Sequence, residues 1–259
     1  MSSVSPKPVY REAKSGRIVE VFNSTADLFS VAARKVAEII SDCLSKKPSC
    51  AIALSGGSTP KRLYELLAKG EGGPIDWKRV HVFFSDERNV PPEDKESNYR
   101  MAKESLFATG AVPETNIHRI RGELSADEAA QQYEGEIKRV LGNNPAFDLV
   151  LLGLGPDGHT ASLFPESPAL RESEKLVAAN RVDKLKSDRI TFTYPLLNRA
   201  EHVMFLASGP DKADIVRSVL SGEGDYPSQH VRPNKGELSW MLDKDSASLI
   251  VDKPMKEQK

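Results

Sequence analysis

The sequence predicts an α/β protein, a single domain built on one doubly wound, mostly parallel sheet with helices on both faces in a Rossmann-like plan. Three observations carry that expectation. Apolar runs of strand length alternate with amphipathic stretches of helical period along the 259 residues, the pattern of repeated βα units. One run, residues 147–152, reads Phe-Asp-Leu-Val-Leu-Leu and is nearly all apolar, as a central parallel strand covered on both faces must be. Another, residues 50–54, leads directly into two glycines and a helix start, the order of strand, tight turn and helix found in parallel crossovers.

Taken in order, residues 1–14 are polar and contain Pro6 and Pro8, and residues 1–15 read as a flexible tail ahead of an α/β domain over 16–259. Residues 26–44 place Val31, Val36, Ile39, Ile40 and Leu44 near one helical face, with Ser24 or Thr25 as N-cap. The strand at 50–54 is followed by a helix over 61–69, with Thr59 capping and Pro60 at the first helical position, where its missing N–H costs nothing. A strand at 80–84 precedes a helix over 97–107. Ser125-Ala126-Asp127-Glu128 has the form of a capping box and opens a helix running to about residue 141. Strands follow at 147–152, 176–179, 190–194 and 203–207, then a helix over 211–220. No repeat, low-complexity segment or long linker divides the chain, which argues for one domain.

Composition narrows the function. Thirty-six Lys and Arg against 37 Asp and Glu give a net charge of −1, so no basic field points to nucleic acid. The longest apolar stretch, around 149–154, falls far short of the roughly 18 residues a membrane helix needs. No basic segment leads into an apolar export signal, and the expected setting is the cytoplasm. Cys43 and Cys50 are the only cysteines; they lack the spacing of a closed zinc site and read as inert thiols in a reducing compartment.

Doubly wound sheets bind ligands beyond the carboxyl ends of their strands, and four such ends carry chemistry. Ser55-Gly56-Gly57-Ser58-Thr59 lets the backbone approach an anion at a helix N-terminus, with a plain tight turn as the alternative. No Gly-Lys-Ser/Thr follows, so it is not a Walker A loop. Ser85-Asp86-Glu87-Arg88 offers metal ligands, acid/base groups or a solvated loop, and the Arg88 guanidinium presents a planar fork to phosphate oxygens. Gly153-Leu154-Gly155-Pro156-Asp157-Gly158-His159-Thr160 formally contains G-x-G-x-x-G, but no acidic partner stands at a strand end about 20 residues on. Its glycines instead present Asp157 and His159. An imidazole with a pKa near ~6.5 is about three-quarters neutral at pH 7, which makes His159 the best general base. Ser208-Gly209-Pro210-Asp211-Lys212 places a cation in the first turn of a helix, a position that a bound anion would favour. His81, His118, His202 and His230 have no metal-ligand spacing, and no G-x-S-x-G elbow exists.

In order and spacing these four segments resemble 6-phosphogluconolactonases, within the superfamily that also holds glucosamine-6-phosphate deaminase. Thr160-Ala161-Ser162-Leu163-Phe164-Pro165 follows the His as in lactonases, where the deaminase has an Asn-Glu pair. The resemblance implies a carboxylic ester hydrolase of carbohydrate metabolism. It would open 6-phospho-D-glucono-1,5-lactone to 6-phospho-D-gluconate, the second step of the oxidative pentose phosphate pathway, with no metal or organic cofactor. On that reading Gly56, Gly57, Ser58, Arg88 and Lys212 hold the phosphate, and His159 activates water. Asp157 orients His159 or shapes its loop, and Asp86 orders the site. Arg199 is a weaker substrate-binding candidate, and residues 226–233 resemble the family's substrate-edge loop. A small phosphorylated lactone is then the partner, with no nucleic acid and no membrane; a monomer is the expected state. The alternatives are a phosphosugar isomerase or deaminase and, lower, a non-catalytic sugar-phosphate sensor. A sensor would need a DNA-binding module, for which the stretch before the first long helix shows no helix-turn-helix.

Overall fold

The structure, a computed structural model, describes residues 7–14 and 16–251. Its strands are β1 (Tyr10–Lys14), β2 (Arg17–Phe22), β3 (Cys50–Leu54), β4 (Val80–Phe84), β5 (Asp86–Arg88), β6 (Leu149–Gly153), β7 (Val177–Val182), β8 (Ser187–Phe192), β9 (His202–Ala207) and β10 (Glu237–Asp243). Its α-helices are α1 (Thr25–Lys46), α2 (Ser58–Ala68), α3 (Asn98–Ser105), α4 (Ala126–Leu141), α5 (Tyr194–Leu197), α6 (Ala213–Ser221) and α7 (Ser248–Val251). Seven strands form the main sheet in the order β1-β2-β10-β9-β6-β3-β4. All neighbours from β2 to β4 are parallel, and only β1 runs antiparallel.

The predicted helices and central strands are present with small boundary shifts. Ser24 is the α1 cap, its side chain accepting from the Asp27 N–H, and Ser125 caps α4 in the same way through Glu128. The α2 cap differs from the expectation. The helix starts at Ser58, so Gly57, with φ of 109°, is the cap and Thr59 and Pro60 lie inside the first turn.

Two further expectations are corrected. Residues 10–14, read as tail, form β1: a ladder with β2 from Tyr10–Val21 to Lys14–Arg17 gives their polar sequence its hydrogen bonds, and an Arg11–Glu20 ion pair at 3.2 Å crosses it. Residues 1–6 and Ser15 lie outside the described residues. The strands predicted at 176–179 and 190–194 are not in the main sheet. They become β7 and β8, which with β5 build a separate antiparallel sheet in the order β5-β8-β7. The cause is the connection between them, which is too short for a parallel crossover.

The position of the cleft follows from connectivity. From β3 the chain steps outward to β4, whereas from β6, the other neighbour of β3, it steps the opposite way to β9 and β10. Right-handed crossovers that reverse direction leave the sheet on opposite faces, opening a crevice beyond the carboxyl ends of β3 and β6. At the amino end the same two strands are tied together. The buried Asp148 accepts from the Ala51 N–H at 2.7 Å and from Lys47 Nζ at 2.6 Å, and its own N–H donates to the Ala51 carbonyl. The core continues through the sheet, where Trp240 of β10 lies flat on its register neighbour Phe205 of β9, ring centroids 4.0 Å apart.

Candidate active site

The glycine turn after β3 is shaped by what lies behind it. A Cβ on Gly56 would sit 1.9 Å from Asn98 Oδ1, so only glycine fits there. With no side chain capping α2, the first-turn N–H groups face the crevice without intrahelical acceptors, at the positive end of the helix dipole.

Strand alternation sorts the charged trio after β4. Asp86 and Arg88 point to the crevice, and Glu87 points away. Glu87 is buried and accepts from the N–H groups of Asn98 at 2.7 Å and Tyr99 at 2.8 Å and from Ser97 Oγ at 3.0 Å, so its role is to cap α3. Burial pushes its pKa up while those N–H donors pull it down. The Asp86 carboxylate is also buried. It accepts from Ser162 Oγ at 2.6 Å and, at 3.3 Å, from Asn98 Nδ2, which links the tips of three loops. Arg88 lines the crevice, with one guanidinium nitrogen donating to the Glu96 carbonyl.

The loop after β6 is closed by hydrogen bonds from the Gly155 N–H to the His159 carbonyl and from the Gly158 N–H to the Gly155 carbonyl. Gly158 has φ of 74°, and a Cβ there would lie 2.5 Å from the Tyr226 ring. A Cβ on Gly155 would fall 2.0 Å from His159 Nδ1, because the imidazole lies directly on that backbone. The ring stacks on Phe164, with centroids 4.0 Å apart and planes 25° apart. Nδ1 stands 2.5 Å from Asp157 Oδ1. Nδ1–H therefore donates to the carboxylate, which leaves Nε2 as the acceptor of a neutral imidazole. Asp157 stands behind the ring and its other oxygen meets Lys184. Burial pulls the His159 pKa below its ordinary 6.5, with Lys212, Arg88 and Arg189 pushing the same way and Asp86 opposing. The Asp157 carboxylate on Nδ1 also opposes.

Lys212 closes the far side from the turn ahead of α6, where Gly209 has φ of 95° and its N–H is held by Asp243 of β10. The Lys212 ammonium is 3.7 Å from Asp211. Gly57, Thr59, Asp86, Arg88, His159 and Lys212 thus border one cleft of about 390 Å³, together with Gly56 and Ser58. An imidazole acceptor, two cations and a helix N-terminus line the same cleft. Such a site can hold a phosphorylated substrate and take a proton from water.

Three larger hollows carry no such convergence. One, of about 510 Å³, lies beside the second half of α1; another, of about 700 Å³, lies between α4 and β7; the last, of about 840 Å³, lies at the amino ends of β2, β9 and β10. Arg199 belongs to the last, which corrects its assignment to the substrate site. It precedes β9 and so stands at the end of the sheet opposite the cleft. The segment 226–233 supports the His loop from outside, through Tyr226 against Gly158 and the Ser228 N–H on the Gly158 carbonyl. Asn98, Lys184 and Arg189 were not found from sequence. Asn98 sits at a helix start with no motif around it. Lys184 and Arg189 reach the site from the second sheet, whose pairing no local pattern reveals. The one group of three potential metal ligands among the described residues, Cys43, Cys50 and Asp148, lies at the amino end of β3, far from the cleft. Its Asp148 oxygens are already engaged by Lys47 and Ala51.

Residues 23–240 match the family of glucosamine-6-phosphate isomerases and 6-phosphogluconolactonases, a span that contains all four strand tips of the cleft. The chain belongs to that family. Among curated family members, the 6-phosphogluconolactonase of Synechocystis is 42% identical over 79% of this chain and 86% of its own. The human 6-phosphogluconolactonase is 37% identical over 90% of this chain and 93% of its own. Solved family structures agree in fold. The 6-phosphogluconolactonase from Trypanosoma cruzi superposes with a TM-score of 0.79 at 33% identity, covering 93% of this chain and 99% of that one. The one from Thermotoga maritima gives a TM-score of 0.78 at 30% identity over 87% and 99%. Other curated family members are chloroplastic, and no described helix of this chain is long and apolar enough to cross a membrane.

Proposed function

We propose that this protein hydrolyses 6-phospho-D-glucono-1,5-lactone to 6-phospho-D-gluconate, with His159 as general base. One observation carries the reading: the His159 imidazole, its Nδ1 on the Asp157 carboxylate, shares a cleft of about 390 Å³ with Arg88, Lys212 and the N-terminus of α2. The names of the family members at 37% and 42% identity support the same substrate.

The phosphate dianion would rest on the Gly56-Gly57-Ser58 turn between Arg88 and Lys212, fixing the lactone so that its C1 faces His159. Nε2 takes a proton from water as the oxygen bonds to C1. The tetrahedral intermediate then breaks its bond from C1 to the ring oxygen, and the imidazolium returns the proton to that oxygen, leaving a hydroxyl and a carboxylic acid that releases its remaining proton to solvent. Asp157 fixes the tautomer that this cycle needs. A depressed imidazole pKa suits the second half, because the imidazolium is then a strong acid for the departing alkoxide. Asp86, held by Ser162 and Asn98, keeps three loops in register around the substrate. The unbridged, buried Cys43 and Cys50 support a reducing, cytoplasmic setting.

The test is a comparison of lactones with and without the 6-phosphate, corrected for spontaneous opening. The phosphorylated lactone should be turned over with a kcat/KM at least about 100-fold higher, since the phosphate contributes charge-assisted contacts to two cations. Equal rates on both, or release of ammonia from glucosamine 6-phosphate, would remove this reading.

A further inference from the structure

We infer that Lys184 is a positioning residue for this hydrolysis: by holding the outer oxygen of Asp157, it fixes the imidazole and offsets the carboxylate's charge beside it. The proposal rests on the reading of His159 as the base.

The contacts form a chain from the second sheet to the reacting nitrogen. Lys184 lies in the short connection between β7 and β8, within the single turn Asp183–Leu185. Its ammonium contacts Asp157 Oδ2 and stands 4.9 Å above the centroid of Phe164. Asp157 Oδ1 accepts from His159 Nδ1, and the imidazole is stacked on the same Phe164. One lysine therefore touches both groups that orient the imidazole, the carboxylate at its edge and the ring at its face. Phe164 is buried, so its position is fixed by packing. Asp157 is only partly covered, and two bonds on opposite oxygens remove the rotation that one would leave.

The electrostatic side follows. A bare carboxylate at hydrogen-bond distance favours the imidazolium and would hold His159 partly protonated near neutrality. The remaining charged groups facing the ring are Asp86 and Arg88 from β5, Arg189 from β8 and Lys212 from the turn before α6. Lys184 is the cation on Asp157 itself, and so it determines how much of that carboxylate's charge the imidazole feels. Because the pair is partly exposed, solvent screening limits the effect to about one pKa unit, a factor of about ten in protonation.

The experiment compares Lys184→Met and Lys184→Arg with the unaltered protein. The His159 imidazole is followed by NMR in ring-labelled protein, its resonance assigned by its loss in His159→Ala. Lys184→Met should raise the His159 midpoint by about one unit and move the acid limb of kcat upward equally, with KM for the phosphorylated lactone unchanged within about twofold. Lys184→Arg should restore both. An unchanged midpoint in Lys184→Met overturns the proposal, even if kcat falls, because a loss without a shift is merely structural. A failure of the hydrolase reading would show instead as absent lactone turnover in the unaltered protein, with the NMR midpoints still reporting on the clamp.

Discussion

Gly155 and His159 show how narrowly a single residue is constrained at this site. The imidazole occupies the space a β-carbon would need, 2.0 Å from Nδ1. Gly155→Ala should therefore lower kcat by at least about tenfold by displacing the ring, with a thermal midpoint close to that of the unaltered protein; unchanged kcat would show that the ring tolerates another seat. Arg88, which lines the cleft, has a proposed role in affinity. Arg88→Ala should raise KM for the phosphorylated lactone by about tenfold or more with a smaller change in kcat, and an unchanged KM would remove it from the phosphate site. The pH dependence has a definite sign. With His159 as the proposed neutral base and its pKa below 6.5 in the folded protein, activity should hold as pH falls through 6.5 and decline only below it. An acid limb centred above 6.5 would contradict that direction. His159 and the glycines around it were legible in the sequence because the loop's residue types are unusual. The separate duties of Asp86 and Asp157 were not, since only the fold shows that one carboxylate ties loops together and the other backs the imidazole.

At the scale of elements, β5 makes the clearest case. Its three charged residues look equivalent in sequence, yet alternation sends Asp86 and Arg88 into the cleft and turns Glu87 into a buried cap for α3. Glu87→Ala would leave the Ser97 hydroxyl and the first N–H groups of α3 without their acceptor. The expected cost is about 2–4 kcal/mol in urea unfolding, and a cost below about 0.5 kcal/mol would refute the capping role. Helices α1 and α4 were readable from apolar period and Ser caps, because those signals are local. The α2 start was misplaced by two residues: Thr59-Pro60 is a good local cap and N1 pair, but the helix starts at Ser58 with Gly57, at a positive φ, as its cap.

Across the whole molecule, one half of the main sheet, from β9 to β4, was legible, and the other half, from β1 to β10, was not. β3, β4, β6 and β9 are apolar runs that announce themselves. β2 carries Arg17 and Glu20 among its apolar residues, and β10 carries Glu237, Ser239 and Asp243, so neither is an unbroken apolar run and neither was expected from sequence. β1 and the second sheet depend on partners distant in sequence, which local pattern does not encode. β10 nevertheless contributes a large share of the core through Trp240, fully buried on Phe205. Trp240→Ala should cost about 3–5 kcal/mol by denaturant unfolding. What the assembled sheet achieves is the meeting of four loops at one crevice. The most direct measurement of that claim is the turnover of 6-phospho-D-glucono-1,5-lactone by His159→Ala, read alongside the affinity of the same variant for 6-phospho-D-gluconate. The account predicts a kcat at least about 100-fold lower with product binding retained, because one general base contributes about that much or more. Turnover like that of the unaltered protein would contradict it.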